Sequence, residues 1–306
     1  MRTKSRYRVR RLLKVLAPEE HRRLQKLRIQ DTGFGYDSFG LEPESVMLAY
    51  GLGQFFYKYW FRVDSEGVEH VPDAGPVILA PNHSGGPPID GFMIAIDLFK
   101  KLRTPRVMRS VLYNSAGYIP FVNTFFDRCG QVTGARRNIE ELLKQGELVA
   151  AFPEGARGPW KGFRDRYKVR PFNVGFVELS LRLRVPIVPT AVIGAEEQYP
   201  FMTNAKLLAR ALGLPFFPVT PFFPLLGPLG MLPLPTKYHI YYDEAFHFYR
   251  EHPPETVHDP RKVRELAGRV QERVERLIQA GLASRKGVFG FLEGPAPRAS
   301  MPPYSP

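Results

Sequence analysis

From Asp64 onward, short apolar runs alternate with amphipathic helical stretches, and this alternation leaves few folds open to the chain. Residues 77–80 run into Pro81-Asn82-His83, residues 148–152 run into Pro153-Glu154-Gly155, and residues 187–193 carry no charge. Short apolar runs bounded by turn residues read as strands buried on both faces. Between them, residues 91–101, 138–144 and 172–183 read as helices, the second closed by Gly146. A further strand is expected near 106–108, another at 238–242, and a charged amphipathic helix at 260–280. Strands alternating with helices predict an α/β fold, with a mostly parallel or mixed sheet covered by helices. A basic N-terminal helical arm precedes that unit and a C-terminal amphipathic helix follows it. The expected organisation is an arm and membrane-associating helix over 1–62, a central domain over 63–250, a C-terminal helix over 251–286 and a disordered tail over 287–306.

Charge and hydropathy narrow the class. The net charge is +13, and a balance that basic calls for an anionic partner: nucleic acid, anionic lipid or a phosphorylated substrate. The mean hydropathy of −0.23 argues against a polytopic membrane protein. Residues 46–61 are apolar and aromatic but short, and they contain Lys58. Residues 211–236 are long enough to span a bilayer and carry no charge, yet seven prolines interrupt them. Proline removes a backbone donor and clashes with the preceding turn, which rules out a regular spanning helix there. That stretch could line an acyl groove, dip into a bilayer or form a satellite core. The first 28 residues hold eleven Lys/Arg and two Glu, which suits either a solvated helix or an interfacial helix on anionic lipid. No secretory signal is visible. The single cysteine, Cys129, excludes an internal disulfide framework. With Phe125, Phe126 and Val132 nearby, it reads as a buried structural thiol.

Two strand ends carry chemistry. His83 follows the first buried strand and Asp90 stands seven positions on. A carboxylate that accepts a hydrogen bond from one imidazole nitrogen fixes the tautomer and leaves the other nitrogen free to take a proton. Asp90 would serve equally as an N-cap for the helix that follows. At the second strand end, Glu154-Gly155-Ala156-Arg157 is trailed by Lys161, Arg164, Arg166, Lys168 and Arg170. A glycine turn beside clustered cations can hold a phosphate, although a solvated basic loop has the same composition. Both sites fall at C-terminal strand ends, where α/β sheets gather functional residues. The chain contains no Gly-x-Ser-x-Gly elbow, phosphate-binding Walker loop, zinc-type cysteine spacing or dinucleotide fingerprint.

Together, Asn82-His83…Asp90, residues 130–143, residues 152–157 and residues 185–189, extended by Gly194-Ala195-Glu196-Glu197, resemble the glycerolipid acyltransferase family. That family includes the 1-acylglycerol-3-phosphate acyltransferases. The chain is most similar to the branch that also holds monoacylglycerol and diacylglycerol acyltransferase relatives. The likeness runs from about residue 67 to about residue 245, with four motifs in the family's order.

The resemblance implies transfer of a fatty acyl group from acyl-CoA or acyl carrier protein to a lipid hydroxyl, with no acyl-enzyme, no metal and no other cofactor. It implies His83 and Asp90 as catalytic residues. It implies Glu154, Gly155 and Arg157 as contacts for the acceptor's glycerol or phosphate, with Arg136, Lys161 and Arg164 assisting. The expected partners are an anionic membrane surface and a lipid acceptor, placing the chain on the cytoplasmic face of a membrane. A nucleic-acid partner is not expected, because the aromatics cluster with Pro and Leu rather than among the cations. Two departures stand out. The family's first box spaces Asp five after His, against seven here, and Ala156 replaces the usual Thr. The longer spacing also admits a catalytically silent lipid-binding protein on the same fold.

Overall fold

The computed structural model describes residues 18–27, 29–83, 88–112, 122–133, 136–155, 163–200, 203–211, 218–220, 222–223 and 225–290. Helices α1 (Pro18–Leu24) and α2 (Pro43–Phe55) precede a π-helical turn at Phe56–Trp60. Then come β1 (Asp64–Glu66), β2 (Val77–Pro81), α3 (Ile89–Lys101), β3 (Met108–Leu112), α4 (Val122–Arg128), β4 (Gln131–Thr133) and α5 (Arg136–Lys144). β5 (Leu148–Ala150), α6 (Gly175–Leu183) and β6 (Ile187–Ile193) complete the central part. After β7 (Thr203–Asn204), α7 (Lys206–Ala211) and β8 (Pro218–Val219), the chain closes with β9 (His239–Tyr242), α8 (Phe248–Glu251) and α9 (Pro260–Ser284).

Seven strands form one mixed sheet in the order β1-β9-β6-β2-β5-β3-β4. The strands from β6 to β4 pair in parallel, β9 runs antiparallel to β6, and β1 pairs in parallel with β9. The hydrophobic alternation divides β2 between two cores. Val77 and Leu79 pack with α2 and α3, whereas Ile78 and Ala80 pack with α6 and α9. Every residue of β2 and of β6 is buried, which is why these strands read as continuous apolar runs. Among the described residues, no helix is long and apolar enough to cross a membrane.

The C-terminal helix belongs to this body. Asp259 caps α9 by accepting the N–H groups of Arg261 and Lys262 at 3.0 and 3.1 Å. Its apolar stripe, including Leu266, Val270, Val274 and Ile278, is buried in the second core. Gly281 lies so close to the sheet that a Cβ there would sit 2.4 Å from Ile193 Cδ1 and 2.6 Å from Tyr241 Cε2.

Several sequence expectations shift. The apolar residues 46–61 lie largely in α2, and the helix turns π-helical at Phe56. The third strand, expected near 106–108, runs over Met108–Leu112, and ahead of it the Arg106 guanidinium donates to the carbonyls of Pro72, Gly75 and Gly146. β1, β4 and α4 carried no periodic signal; the two strands are three residues each and α4 is seven. Cys129 is buried, and burial together with the nearby Glu42 carboxylate pushes its thiol up to about 12. Residues 1–17 and 291–306 lie outside the described residues, so most of the basic arm and the tail are not placed.

Candidate active site

β2 delivers His83 through the residue before it. Pro81 ends the strand, and the Asn82 side chain then makes the next pairing with β6. Its Oδ1 accepts the Val192 N–H at 2.7 Å and its Nδ2 donates to the Val192 carbonyl at 3.1 Å. Asn82 is fully buried, so its amide replaces a backbone ladder step while the main chain turns away from the sheet.

β5 supplies the second support. In the turn that follows it, Gly155 adopts a left-handed backbone (φ +63), and its N–H donates to the Phe152 carbonyl at 3.0 Å. This turn folds the buried Glu154 carboxylate inward. Oε1 accepts the His83 N–H at 2.9 Å, and Oε2 accepts the Arg170 N–H at 2.8 Å. One carboxylate thus joins the main chain at His83 to the start of the segment entering α6. Charge-assisted bonds of this kind are stronger than neutral ones.

The imidazole then meets α3. His83 Nδ1 lies 2.8 Å from Asp90 Oδ2, and Asp90 is fully buried. Asp90 Oδ1 accepts the Gly91 N–H at 2.8 Å. The N-cap expectation for Asp90 is corrected: α3 starts at Ile89, so Asp90 sits within the first turn, aimed at His83. An Nδ1–H donated to this carboxylate leaves Nε2 as the basic nitrogen. Among the described residues, Nε2 has no hydrogen-bond partner, and the side chain is 15% exposed. The Phe152 ring packs 4.3 Å from the imidazole. Phe152 fits there because Gly91 has no side chain: a Cβ would stand 3.1 Å from its Cζ.

Behind this pair, α3 is tied down by the fully buried Asp97. It accepts hydrogen bonds from Tyr57 at 2.5 Å and Tyr242 at 2.9 Å, and it pairs with Lys101 at 3.3 Å. Burial first, and then the Asp97 charge, push both tyrosine hydroxyls far above their usual range. They remain protonated donors, and α3 is held against the sheet.

The expected site residues therefore fare differently. The structure brings His83, Asp90 and Glu154 together, with Gly155 in the supporting turn. Glu154, expected at the acceptor, holds two backbone N–H groups. Arg136 opens α5, exposed and ion-paired with Glu178 of α6, and no described bond joins it to His83, Asp90 or Glu154. Arg164 is exposed. Arg157 and Lys161 lie outside the described residues, as do Gly85, Gly86 and Pro87 of the His–Asp loop. The roles of Asn82, Phe152 and Gly91 were missed, although Asn82 and Phe152 stand inside the quoted motifs.

Several known proteins are similar to this chain. A family model described as Acyltransferase matches residues 62–193. An uncharacterized protein of Mycobacterium tuberculosis is 37% identical over 266 residues, 86% of this chain and 74% of that one. Human 1-acyl-sn-glycerol-3-phosphate acyltransferase alpha is 28% identical over 149 residues, 47% of this chain and 50% of its own. The human DGAT1/2-independent enzyme synthesizing storage lipids is 25% identical over 169 residues, 54% and 51% of the two chains. The fold is similar to the crystal structure of the 1-acyl-sn-glycerophosphate (LPA) acyltransferase PlsC from Thermotoga maritima. That match has a TM-score of 0.50 and 18% identity, and it covers 94% of this chain and 100% of that one.

Proposed function

Because the chain belongs to the acyltransferase family, we propose that it moves a fatty acyl group from acyl-CoA or acyl carrier protein to a hydroxyl of a glycerolipid such as lysophosphatidic acid. The observation that carries this reading is the 2.8 Å contact between His83 Nδ1 and buried Asp90, which leaves Nε2 without a hydrogen bond among the described residues. In this reading, Nε2 takes the proton of the acceptor hydroxyl as its oxygen attacks the thioester carbonyl carbon. The carbon–sulfur bond then breaks, and the imidazolium returns the proton to the departing thiolate. Atoms and charge balance without an acyl-enzyme. The closed His–Asp pair also favours catalysis over a silent lipid-binding role.

Within the same reading, Arg157 and the cations that follow it hold an anionic group of the acceptor, since an Arg fork matches phosphate bidentately. A neutral glyceride is the second reading, favoured by the storage-lipid enzyme among the relatives and by Ala156 in place of a hydroxyl residue.

An anionic membrane surface is the proposed partner, met from the cytoplasmic side. His83 stands at the C-terminal end of β2. β6 leaves and β9 re-enters at this same end of the sheet, and the segment between them exposes Leu225 (86%), Leu226 and Leu229. Phe55 and Tyr59 are exposed near it, because Trp60 Nε1 donates to the Pro233 carbonyl at 3.0 Å. Several exposed apolar side chains in one segment suit a membrane surface.

Purified protein incubated with a labelled acyl-CoA and a panel of lipid acceptors tests the whole reading. We expect labelled phosphatidic acid from lysophosphatidic acid, and at least about a hundredfold loss in His83→Ala. Wild-type turnover in a folded His83→Ala variant would overturn the mechanism. Label appearing only in di- or triacylglycerol would favour the second reading.

A further inference from the structure

Tyr167 is buried yet has a left-handed backbone, with φ 64. A bulky residue adopts that conformation only where its surroundings impose it, and such positions cluster at functional sites. Its surroundings here are specific. The buried Glu196 accepts the Tyr167 N–H. The Tyr167 hydroxyl accepts the Gly194 N–H at 2.9 Å. Arg285, just past the end of α9, lies over the Tyr167 ring at 5.6 Å and forks onto Glu197 with two contacts of 2.6 Å. Gly194 itself is fixed, since a Cβ there would stand 2.2 Å from the Lys237 carbonyl oxygen. The Gly194-Ala195-Glu196-Glu197 run, which extended the family resemblance without a chemical role of its own, therefore forms a seat for Tyr167.

What the seat holds is the basic segment 163–170. Three residues after Tyr167, the Arg170 N–H reaches Glu154, whose other oxygen holds the His83 N–H. Arg164 and Arg170 are exposed, and among the described residues their side chains make no hydrogen bond or ion pair. Lys168, by contrast, pairs with Asp165 at 2.9 Å. The segment is thus pinned at Tyr167 and at Arg170, whose backbone N–H shares the Glu154 carboxylate with that of His83.

We propose that Tyr167, seated by Glu196, Glu197 and Arg285, positions the cations of 163–170 for an anionic group of the lipid acceptor. Tyr167 and Arg285 are then positioning residues of the acceptor site, and the end of the C-terminal helix is part of the catalytic unit. The acceptor role rests on the phosphorylated-acceptor reading proposed above.

The test uses the full chain with Tyr167→Phe, which loses the hydroxyl contacts but keeps the N–H to Glu196, and Arg285→Lys, which keeps charge but loses the fork. Two measurements are made on each folded variant: trypsin cleavage within 163–170 by mass spectrometry, and KM and kcat with lysophosphatidic acid and with monoacylglycerol. We expect cleavage roughly tenfold faster, because freeing the segment raises its open population. We expect the lysophosphatidic acid KM to rise about fivefold or more with kcat nearly unchanged, and the monoacylglycerol KM to stay put. An unchanged lysophosphatidic acid KM in folded variants overturns the positioning role, even if cleavage accelerates, because the seat would then serve stability alone. If wild type does not use lysophosphatidic acid, the functional reading fails and takes the acceptor role with it. Unchanged cleavage in folded variants overturns the seat itself, whatever the substrate. Should Arg285→Lys fail to fold, Tyr167→Phe decides.

Discussion

His83 is constrained through two different atoms, and the two constraints do different work. Asp90 holds Nδ1 at 2.8 Å, which selects the tautomer, and Glu154 holds the backbone N–H at 2.9 Å, which places the residue. Asp90→Asn should therefore cost about a hundredfold or more in kcat with little change in substrate binding, since an amide can donate to Nδ1 and favour the wrong tautomer. Glu154→Gln keeps the shape but leaves one of two backbone N–H groups facing an NH2. A lost bond to a charged group costs about 1.5–3 kcal/mol, so this variant should lower the unfolding midpoint as well as activity. Kinetics alongside urea denaturation separate the two. Equal stability losses, or full activity in folded Asp90→Asn, would contradict the assignment. At this scale, His83 and Asp90 could be named from residue type and strand-end position. Glu154 could be named too, but its partners could not: they lie 71 and 16 residues away in sequence, and only the fold brings them within reach.

At the scale of elements, the close contact of α9 with the sheet depends on one glycine. Gly281→Val would drive its side chain into Ile193 and Tyr241, and overpacking of this kind costs typically about 1–3 kcal/mol. On the same helix, nothing lies within 4 Å of a Cβ at Gly268, so Gly268→Ala should gain about 0.5–1 kcal/mol from helix propensity. Urea midpoints of the two variants should move in opposite directions; a shared direction would show that α9 does not pack as described. The helix itself was plain in the sequence, because Asp259-Pro260 and a long amphipathic repeat signal it locally. β1 and β4 were not, because three-residue strands have too few positions to show a period and are defined by the neighbours they pair with.

At the scale of the whole molecule, one end of the sheet carries the His–Asp pair, the turn after β5 that holds Arg170, and the start of the β6–β9 excursion with its exposed leucines. Under the proposed function, this arrangement would let a lipid acceptor reach Nε2 without leaving the bilayer. Burying a leucine side chain contributes about 1.5–3 kcal/mol. Leu225→Glu with Leu229→Glu should therefore weaken binding to zwitterionic vesicles by roughly tenfold or more, and this loss should persist at high salt. Deleting the first 28 residues, which hold eleven Lys/Arg, should instead weaken binding to anionic vesicles and flatten its salt dependence. Vesicle sedimentation across a salt series measures both, and unchanged binding by the leucine variant would remove the apolar contact from the model of docking.

The sequence by itself determined the local structure and the chemical inventory. Apolar runs such as 187–193 must be buried, prolines in 211–236 forbid a spanning helix, and a histidine followed by a carboxylate offers a base and its orienter. These conclusions follow from short-range physics: side-chain periodicity, missing backbone donors and the acid–base character of single groups. Only the tertiary structure decided that a seven-residue step still closes the His83–Asp90 pair, because α3 begins one residue before Asp90 and points its carboxylate back. It alone gave Glu154 its two backbone partners, and it alone joined Tyr167 to Arg285 across 118 residues of chain. Contacts of that range depend on strand order and register, which arise from packing the whole sheet at once rather than from any segment read alone.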